Sequence, residues 1–364
     1  MNQVIAEVCD EIRRTGPITV ARYMDLALYH AQHGYYSSGI VRTGRAGHFL
    51  TSPELDPAFG ELWCGEIVRV WNDCGRPEVF ALIEIGPGEG GFAHAVLEAA
   101  SGRFARALRI HLVEPIPHLR RRQADRLGGS GKVTWSETVT DVPPERVGVV
   151  FVNEVLDNLP VHLVDGDEEI YVDISKDSLA EKRGPYSQEV VSFLARCNIR
   201  IPTDVRAEIP VSTERFVRAS ARCITQGAAI FVDYGDVWQG FLARAGGTLV
   251  CYSSSGVDDL YLERPGEKDI TAHANWSVVC SELKASGCTV TGPVSQRSVL
   301  DRLGASTLQK RLRDEIAAAN DAGDGLAAVR AMSRRGALGA LADPSGLGAL
   351  GVVVGAKGIP PRLA

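Results

Sequence analysis

No apolar run in this sequence approaches the roughly 20 residues that a membrane-spanning helix requires, so no helical membrane span is expected. Its eight cysteines form no CxxC pair and no Cys/His zinc spacing, which gives no metal centre to build on. His30 and His33 stand three apart but without an acidic partner in a ligating pattern. Positive charge is also short. The chain carries 39 Lys+Arg against 45 Asp+Glu, a formal net charge of −6. A general binder of nucleic-acid phosphates needs the opposite balance. The densest basic run, Arg120-Arg121-Arg122, falls on an expected helix and reads as a solvated face. The opening MNQVIAEVCDEIRR has acids early and no apolar core, so neither a signal nor a transit peptide is expected. Scattered thiols fit a reducing compartment, and a cytoplasmic protein is the expectation.

What is present is the pattern of an ordinary globular chain, 45% hydrophobic and 23% charged over 364 residues. Val4, Ile5, Val8, Cys9 and Ile12 recur at helical spacing, and Gly16-Pro17 ends that helix. Thr19 is an expected N-cap for a second helix reaching about residue 31. The stretch HGYYSSGIVRTGRAGHFLTSPEL is too irregular for a regular element, and its interleaved Tyr35, Tyr36, His48 and Phe49 argue for an ordered, functional loop. Short apolar strands follow at 79–85, 109–113, 132–135, 147–152 and 227–233, with helices at about 91–100 and 116–127 between the earlier ones. That alternation predicts a parallel sheet covered by helices on both faces. Between 160 and 215 the rhythm breaks. VHLVDGDEEIYVDI reads as a β-hairpin turning at Asp165-Gly166 within an insertion. Two more strands, in CTVTGPV and ALGVVVGAKG, flank a helical stretch at about 298–340.

The most informative piece is ALIEIGPGEGGFAHAVL, residues 81–97. A strand ends in an acid, and four glycines then occupy six positions before a helix begins. Glycines there turn tightly and let a ligand approach the backbone at a helix N-terminus. The spelling fits GxGxxG through Gly86, Gly88 and Gly91, and equally ExGxGxG through Glu84, Gly86, Gly88 and Gly90. Glu84 decides between them. A carboxylate at the strand end repels a dinucleotide pyrophosphate and attracts a cationic amine and sulfonium. S-adenosylmethionine carries both and has no phosphate. One βα unit later, RIHLVEPIP ends its strand in Glu114, which can accept both ribose hydroxyls. Ser136 and Glu137, after the third strand, are candidates for the adenine edge.

A further polar cluster follows the strand VVFV: Asn153, Glu154, Asp157, Asn158 and His162. Polar groups at strand carboxyl ends line the ligand crevice of an open α/β sheet. Carboxylates at Glu154 and Asp157 would hold a guanidinium acceptor bidentately. An oxygen acceptor would instead need a base, for which His273 or His162 has a suited pKa.

At this point the sequence resembles the MidA-like methyltransferases. The matching blocks run in order along nearly the whole chain: GPITVARYMDLALYHAQHGYY, GHFLTSPELDPAFGEL, IEIGPGEGG, VEPIP, NEVLDNLPVH, DYG at 233–235, DITAHANW and DPSGLGALGVVVGAKG. The resemblance implies a class I methyltransferase fold, a seven-stranded Rossmann-like sheet whose last strand is antiparallel. It also implies an N-terminal helical region and an inserted α+β cap. On that reading 1–60 is the N-terminal cap, 61–160 the cofactor half of the core and 161–215 the inserted cap. The second half of the core is then 216–297, followed by a helical insertion over 298–348 and a final strand and tail over 349–364.

The implied cofactor is S-adenosylmethionine, held by Glu84, Gly86, Pro87, Gly88, Gly90, Glu114, Ser136 and Asn153. Glu154, Asp157 and His273 are the catalytic candidates, and Tyr36, His162 and Asn275 the acceptor-binding ones. The family includes a member that methylates a protein arginine, so the resemblance implies a protein or peptide arginine as the first expectation for the acceptor. Three departures open a second, a small molecule or peptide of a biosynthetic pathway. The family's Gly-Asp-Phe is Gly47-His48-Phe49 here, and its His-Val-Asp-Phe is His273-Ala274-Asn275-Trp276. The stretch after GTL, commonly basic and His-rich, is VCYSSSGVDD. An assembly factor that binds cofactor with little turnover is a third reading, and an NAD-linked oxidoreductase a fourth. No nucleic-acid or membrane partner is expected, and a homodimer stays open.

Overall fold

The computed structural model describes residues 3–39, 51–143, 146–176, 178–244 and 246–363. His48 and Phe49, with the Gly-His-Phe departure, lie outside the described residues. Seven strands form the central sheet: β1 (Phe80–Ile85), β2 (Leu108–Val113), β3 (Val133–Ser136), β4 (Arg146–Asn153), β5 (Ile224–Asp233), β6 (Thr289–Ser295) and β7 (Gly351–Lys357). Their spatial order is β6-β7-β5-β4-β1-β2-β3. Neighbours from β5 to β3 run parallel. β7 lies antiparallel to both β5 and β6. This is the expected class I arrangement, and each apolar run read from the sequence became a strand.

The side-chain period of two divides these strands between two helical layers. Leu82, Val149, Phe151, Ile230 and Val232 face Phe59, Trp63 and Phe92. Ile83, Val150, Val152 and Phe231 face Val217, Trp276, Val279 and Leu283. Phe92 stacks on Phe151 with ring centroids 4.1 Å apart. Each such fully buried side chain contributes roughly 1.5–3 kcal/mol of transfer free energy. Both layers therefore hold the sheet rigidly under the site. The three helices between β6 and β7, Gln296–Arg302, Ala305–Asp321 and Gly325–Leu341, add Leu338 and Leu341 to the first layer.

The insertion after β4 builds a sheet of its own. His162–Asp165 and Glu168–Ser175 form the expected hairpin, and Ser178–Gly184 and Arg206–Ile209 extend it. Ile18–Thr19 from the N-terminal region pairs with the same sheet, which the sequence did not suggest. Val4, Val8 and Ile12 of the first helix and Tyr23 and Met24 of the second pack against its Leu163, Ile170 and Val172. The second helix is Val20–Tyr29, and the Thr19 side chain accepts from the Arg22 N–H at 3.1 Å, as its cap position predicts. A small sheet of Val250–Ser253, Gly256–Asp258 and Asp269–Thr271 stands beside it. No helix among the described residues is long and apolar enough to cross a membrane.

Candidate active site

The carboxyl ends of β1, β2, β4 and β5 open into a cavity of about 790 Å³. Ligands bind at this edge of open α/β sheets because the strand order reverses there, leaving a crevice between β1 and β4. One end of the cavity is lined by Glu84, Gly86, Pro87, Gly88, Glu114 and Thr138, and the other by Tyr29, Tyr36, Asp157, Tyr252 and Asp269. Neither lysine nor arginine is among the described residues on its walls.

The glycine loop turns through left-handed backbone at Gly86 and Gly88, with φ of 69° and 54°. A side chain on Gly86 would also bring its Cβ within 2.5 Å of the Val155 Cγ2 methyl. Both constraints require glycine. Gly90 has a different job. Its N–H closes the turn onto the Pro87 carbonyl at 2.8 Å and caps the helix Gly91–Ala99. It is not on the cavity wall, a correction to its reading as a cofactor contact. Glu84 is buried, and its Oε2 has no hydrogen-bond partner. Glu114 Oε1 accepts from the Ile116 N–H at 2.9 Å, and its Oε2 from Gln123 Nε2 at 3.2 Å. Burial pushes the Glu84 carboxyl up to about 8 and that of Glu114 up to about 7.

Beyond β4 the chain turns sharply at Glu154, a non-glycine residue with φ of 52°. Asp233, at the end of β5, holds this turn. Its Oδ2 accepts from the backbone N–H groups of Val155, Leu156 and Asp157 at 3.1, 2.8 and 3.3 Å. Its Oδ1 accepts from Tyr234 N–H at 2.8 Å. Glu154 Oε1 accepts from Asn153 Nδ2 at 2.8 Å and from the Ser52 N–H at 3.0 Å, tying the N-terminal region to the β4 turn. Asp157 is half-buried, with its Oδ1 enclosed and unpartnered, as is the Asn153 Oδ1. Burial raises the Asp157 carboxyl well above the usual range, and the charges of Asp233 and Asp269 add to that.

At the far end Asp269 Oδ1 accepts from the Tyr36 hydroxyl at 2.9 Å and from Asn158 Nδ2 at 2.8 Å. The Tyr29 hydroxyl donates to the Asn158 carbonyl at 3.1 Å, and the rings of Tyr29 and Tyr36 stack 5.6 Å apart. Burial pushes the Asp269 carboxyl up to about 7.

Three further expected contacts, besides Gly90, lie elsewhere. His162 is buried in the inserted sheet, with Nδ1 2.7 Å from Glu169 Oε1, and does not line the cavity. Asn275 caps the helix Trp276–Ala285, accepting from the Ser277 and Val278 N–H groups. An amide and a carboxylate serve that position about equally. The family's acid-to-amide change at Asn275 therefore leaves the acceptor end untouched. Ser136 is also off the wall, because its hydroxyl pairs with His111 Nε2 at 2.7 Å. His273 does line the cavity, but its Nδ1 lies 3.0 Å from Arg244 Nη1. A guanidinium only donates, so the imidazole lone pair is already used. Burial and then Arg244 lower its pKa further. Sequence reasoning missed Tyr29, Tyr252, Asp233 and Asp269 as site residues. Asp233 and Asp269 lie within the matched blocks DYG and DITAHANW, and that was the available signal.

The donor set suits a cationic, phosphate-free cofactor. The unpartnered Glu84 Oε2 and Asn153 Oδ1 are acceptors awaiting donors, and no basic group is present for a pyrophosphate. A family model described as S-adenosyl-L-methionine-dependent methyltransferase matches residues 63–294. The chain belongs to this family. It is 33% identical over 340 residues to the mitochondrial protein arginine methyltransferase NDUFAF7 homolog of Drosophila melanogaster, covering 83% of this chain and 75% of that one. To the mitochondrial protein arginine methyltransferase NDUFAF7 of Homo sapiens it is 28% identical over 346 residues, covering 84% and 74%. A Burkholderia thailandensis protein solved with S-adenosyl-homocysteine bound superposes with a TM-score of 0.86 at 27% identity. That match covers 99% of this chain and 93% of the other. The protein is an S-adenosylmethionine-dependent methyltransferase, and the oxidoreductase reading of the glycine loop falls away.

This carboxylate-rich site gives the methyltransferase a pH signature. Glu84, Glu114, Asp233 and Asp269 are all raised, to between about 7 and about 8. Unfolded carboxyls titrate near 4. From there up to about 8 the native state therefore holds protons that the unfolded chain has released. Stability is present at the acidic end of that window and falls as pH rises through it. A cationic ligand favours the ionised forms, so the melting-temperature gain on adding S-adenosylmethionine should be larger at pH 8 than at pH 6. Scanning calorimetry with and without ligand checks this, and an equal gain at both pH values contradicts it.

Proposed function

We propose that the acceptor is the guanidinium of a protein or peptide arginine. The observation that carries this reading is the composition of the acceptor end. It holds two carboxylates, the half-buried Asp157 and the buried Asp269, with the aromatic faces of Tyr29, Tyr36 and Tyr252 and no competing cation among the described residues. Such walls attract a planar cation through ion pairing and cation–π contact. The NDUFAF7 proteins named above are protein arginine methyltransferases, which supports the same acceptor. The oxygen-acceptor alternative rests on a histidine base. Neither histidine offered for it has a lone pair facing the cavity, since His162 is in the inserted sheet and His273 Nδ1 is taken by Arg244.

Bound S-adenosylmethionine supplies an electrophilic methyl group on a sulfonium. Glu84 and the loop at Gly86 and Gly88 would hold its cationic amino-acid end, and Glu114 its ribose hydroxyls. Asp157 would pair with the guanidinium and set one nitrogen in line with the methyl. As that nitrogen takes the methyl it must lose a proton. A carboxyl whose pKa burial has raised accepts that proton more readily than an ordinary aspartate. Tyr36 and Asn158 fix Asp269, so the second carboxylate cannot swing away.

The reading is tested by incubating the enzyme with methyl-labelled S-adenosylmethionine and arginine-containing proteins and peptides. Mass spectrometry should find the label on arginine side chains. Label confined to a small metabolite or to an oxygen atom would replace this proposal with a biosynthetic one.

A further inference from the structure

Eight large hydrophobic side chains are exposed among the described residues, and Val257 is the one that also lines the cavity. Val257 is 64% exposed and Leu260, three residues on, 51%. Val257 belongs to the strand Gly256–Asp258, whose inner edge pairs with Val250–Ser253 and whose outer edge pairs with no strand among the described residues. Its cross-strand partner is Tyr252, on the cavity wall. The hairpin is fixed from beneath. Lys268, 1% exposed, places Nζ 2.7 and 2.9 Å from the two Asp258 oxygens and 3.0 Å from the Leu260 carbonyl. Arg264 Nη2 donates to Ser255 Oγ at 3.0 Å. Asp259 and Glu263 are exposed alongside.

An open strand edge offers main-chain pairing to an extended peptide, and apolar side chains beside it select the peptide's neighbours. A rigid surface loses little entropy on binding. A small metabolite would need none of this outside the cavity. We propose that the edge Gly256–Asp258, with Val257, Leu260, Asp259 and Glu263, docks an extended segment of the acceptor protein. The segment carries an apolar residue near the acceptor arginine and basic residues flanking it. Its continuity with the cavity wall and its charge commit the surface to that occupant. The inference rests on the arginine reading above and extends it from the acceptor group to the chain around it.

The test uses the full-length enzyme and two probes, a random heptapeptide pool with a central arginine and acetyl-arginine amide. Leu260→Ser and Asp259→Lys each change the surface without touching the cavity wall. Each is expected to lower kcat/KM on the peptide pool about tenfold, mostly through KM. Turnover of acetyl-arginine amide and the Kd for S-adenosylmethionine should stay as in the wild type. Circular dichroism melts confirm folding, and Leu260→Met should retain the peptide preference. Wild-type turnover of peptides that the two variants leave unchanged overturns the docking surface alone. Methylation of neither probe by the wild type overturns the arginine reading and this inference with it. If sedimentation shows a wild-type dimer that Leu260→Ser converts to monomer, the face belongs to a second copy of the chain and the proposal fails.

Discussion

Asp157→Asn is expected to lower kcat by about a hundredfold to a thousandfold, the cost of removing one well-placed electrostatic group from a reacting centre. The Kd for S-adenosylmethionine should change by no more than about threefold. The reason is the position of the carboxylate. Its backbone is fixed on both sides, by its N–H on Asp233 and by its carbonyl, which accepts from the Ala272 N–H at 2.8 Å. Its Oδ1 has no partner of its own. The amide is nearly isosteric, so shape is kept. What is lost is the negative charge facing the guanidinium and the capacity to take up the departing proton. The pH profile separates those losses from a general disturbance. The wild-type rate should rise with pH as the carboxyl ionises, and the variant's residual rate should lose that limb. Isothermal titration with S-adenosylmethionine and single-turnover rates supply the two numbers. A parallel loss of affinity and rate would move Asp157 to the cofactor end.

The middle of the central sheet was legible because β1, β4 and β5 are buried on both faces and so read as largely apolar runs. FALIEI and VVFV could hardly be anything else once Gly-rich and Pro-rich turns bounded them. The cofactor end was legible for a related reason. Glu84 and Glu114 sit where a strand stops, and chain order alone puts strand ends at the crevice. The acceptor end was only half legible. Its wall is assembled from Tyr29, Tyr36, Asp157, Tyr252 and Asp269, which no local spacing connects. The polar run after β4 looked like one site, yet His162 already belongs to the next sheet and pairs with Glu169 there. Where a strand ends, spacing stops dictating side-chain direction. Asn275 and Ser136 erred in a further way, because local partners, a helix N-terminus and a neighbouring histidine, already satisfied them.

The pairing of Ile18–Thr19 with the inserted sheet has a consequence for that wall. A strand of two residues has no periodicity to read, but it anchors the helix that carries Tyr29 and leads to Tyr36. The acceptor end is therefore built by three separate parts of the chain: the N-terminal helices, the β4 turn and the small sheet around Tyr252. Acceptor choice can change by altering the first and third without disturbing the glycine loop. This fits a sequence whose cofactor blocks match the family more fully than the stretch after GTL does.

Asp233→Ala is expected to cost roughly 3–5 kcal/mol of stability and to abolish measurable methyl transfer. Two effects oppose each other. Burial and the neighbouring Glu154 push the Asp233 carboxyl up to about 8, so removing it relieves crowding among carboxylates. Against that, the alanine leaves the N–H groups of Val155, Leu156, Asp157 and Tyr234 without their acceptor. Each orphaned donor costs about 1–3 kcal/mol when water cannot replace the partner. The cavity admits water to one side of the turn, which recovers part of this loss, but four donors outweigh one crowded charge. The turn also holds Glu154 in left-handed backbone, a conformation of order 1–3 kcal/mol above its alternatives. Without Asp233 that strain is released, and Asp157 leaves its place. Asp233→Asn separates the two effects, since one amide oxygen can still serve the three donors on the Oδ2 side. It should lose about 1–2 kcal/mol, with the Kd for S-adenosylmethionine close to that of the wild type. Urea denaturation of both variants, with cofactor titrations of the Asn form, measures these differences. Equal stability of the Ala variant and the wild type would show that the turn holds itself.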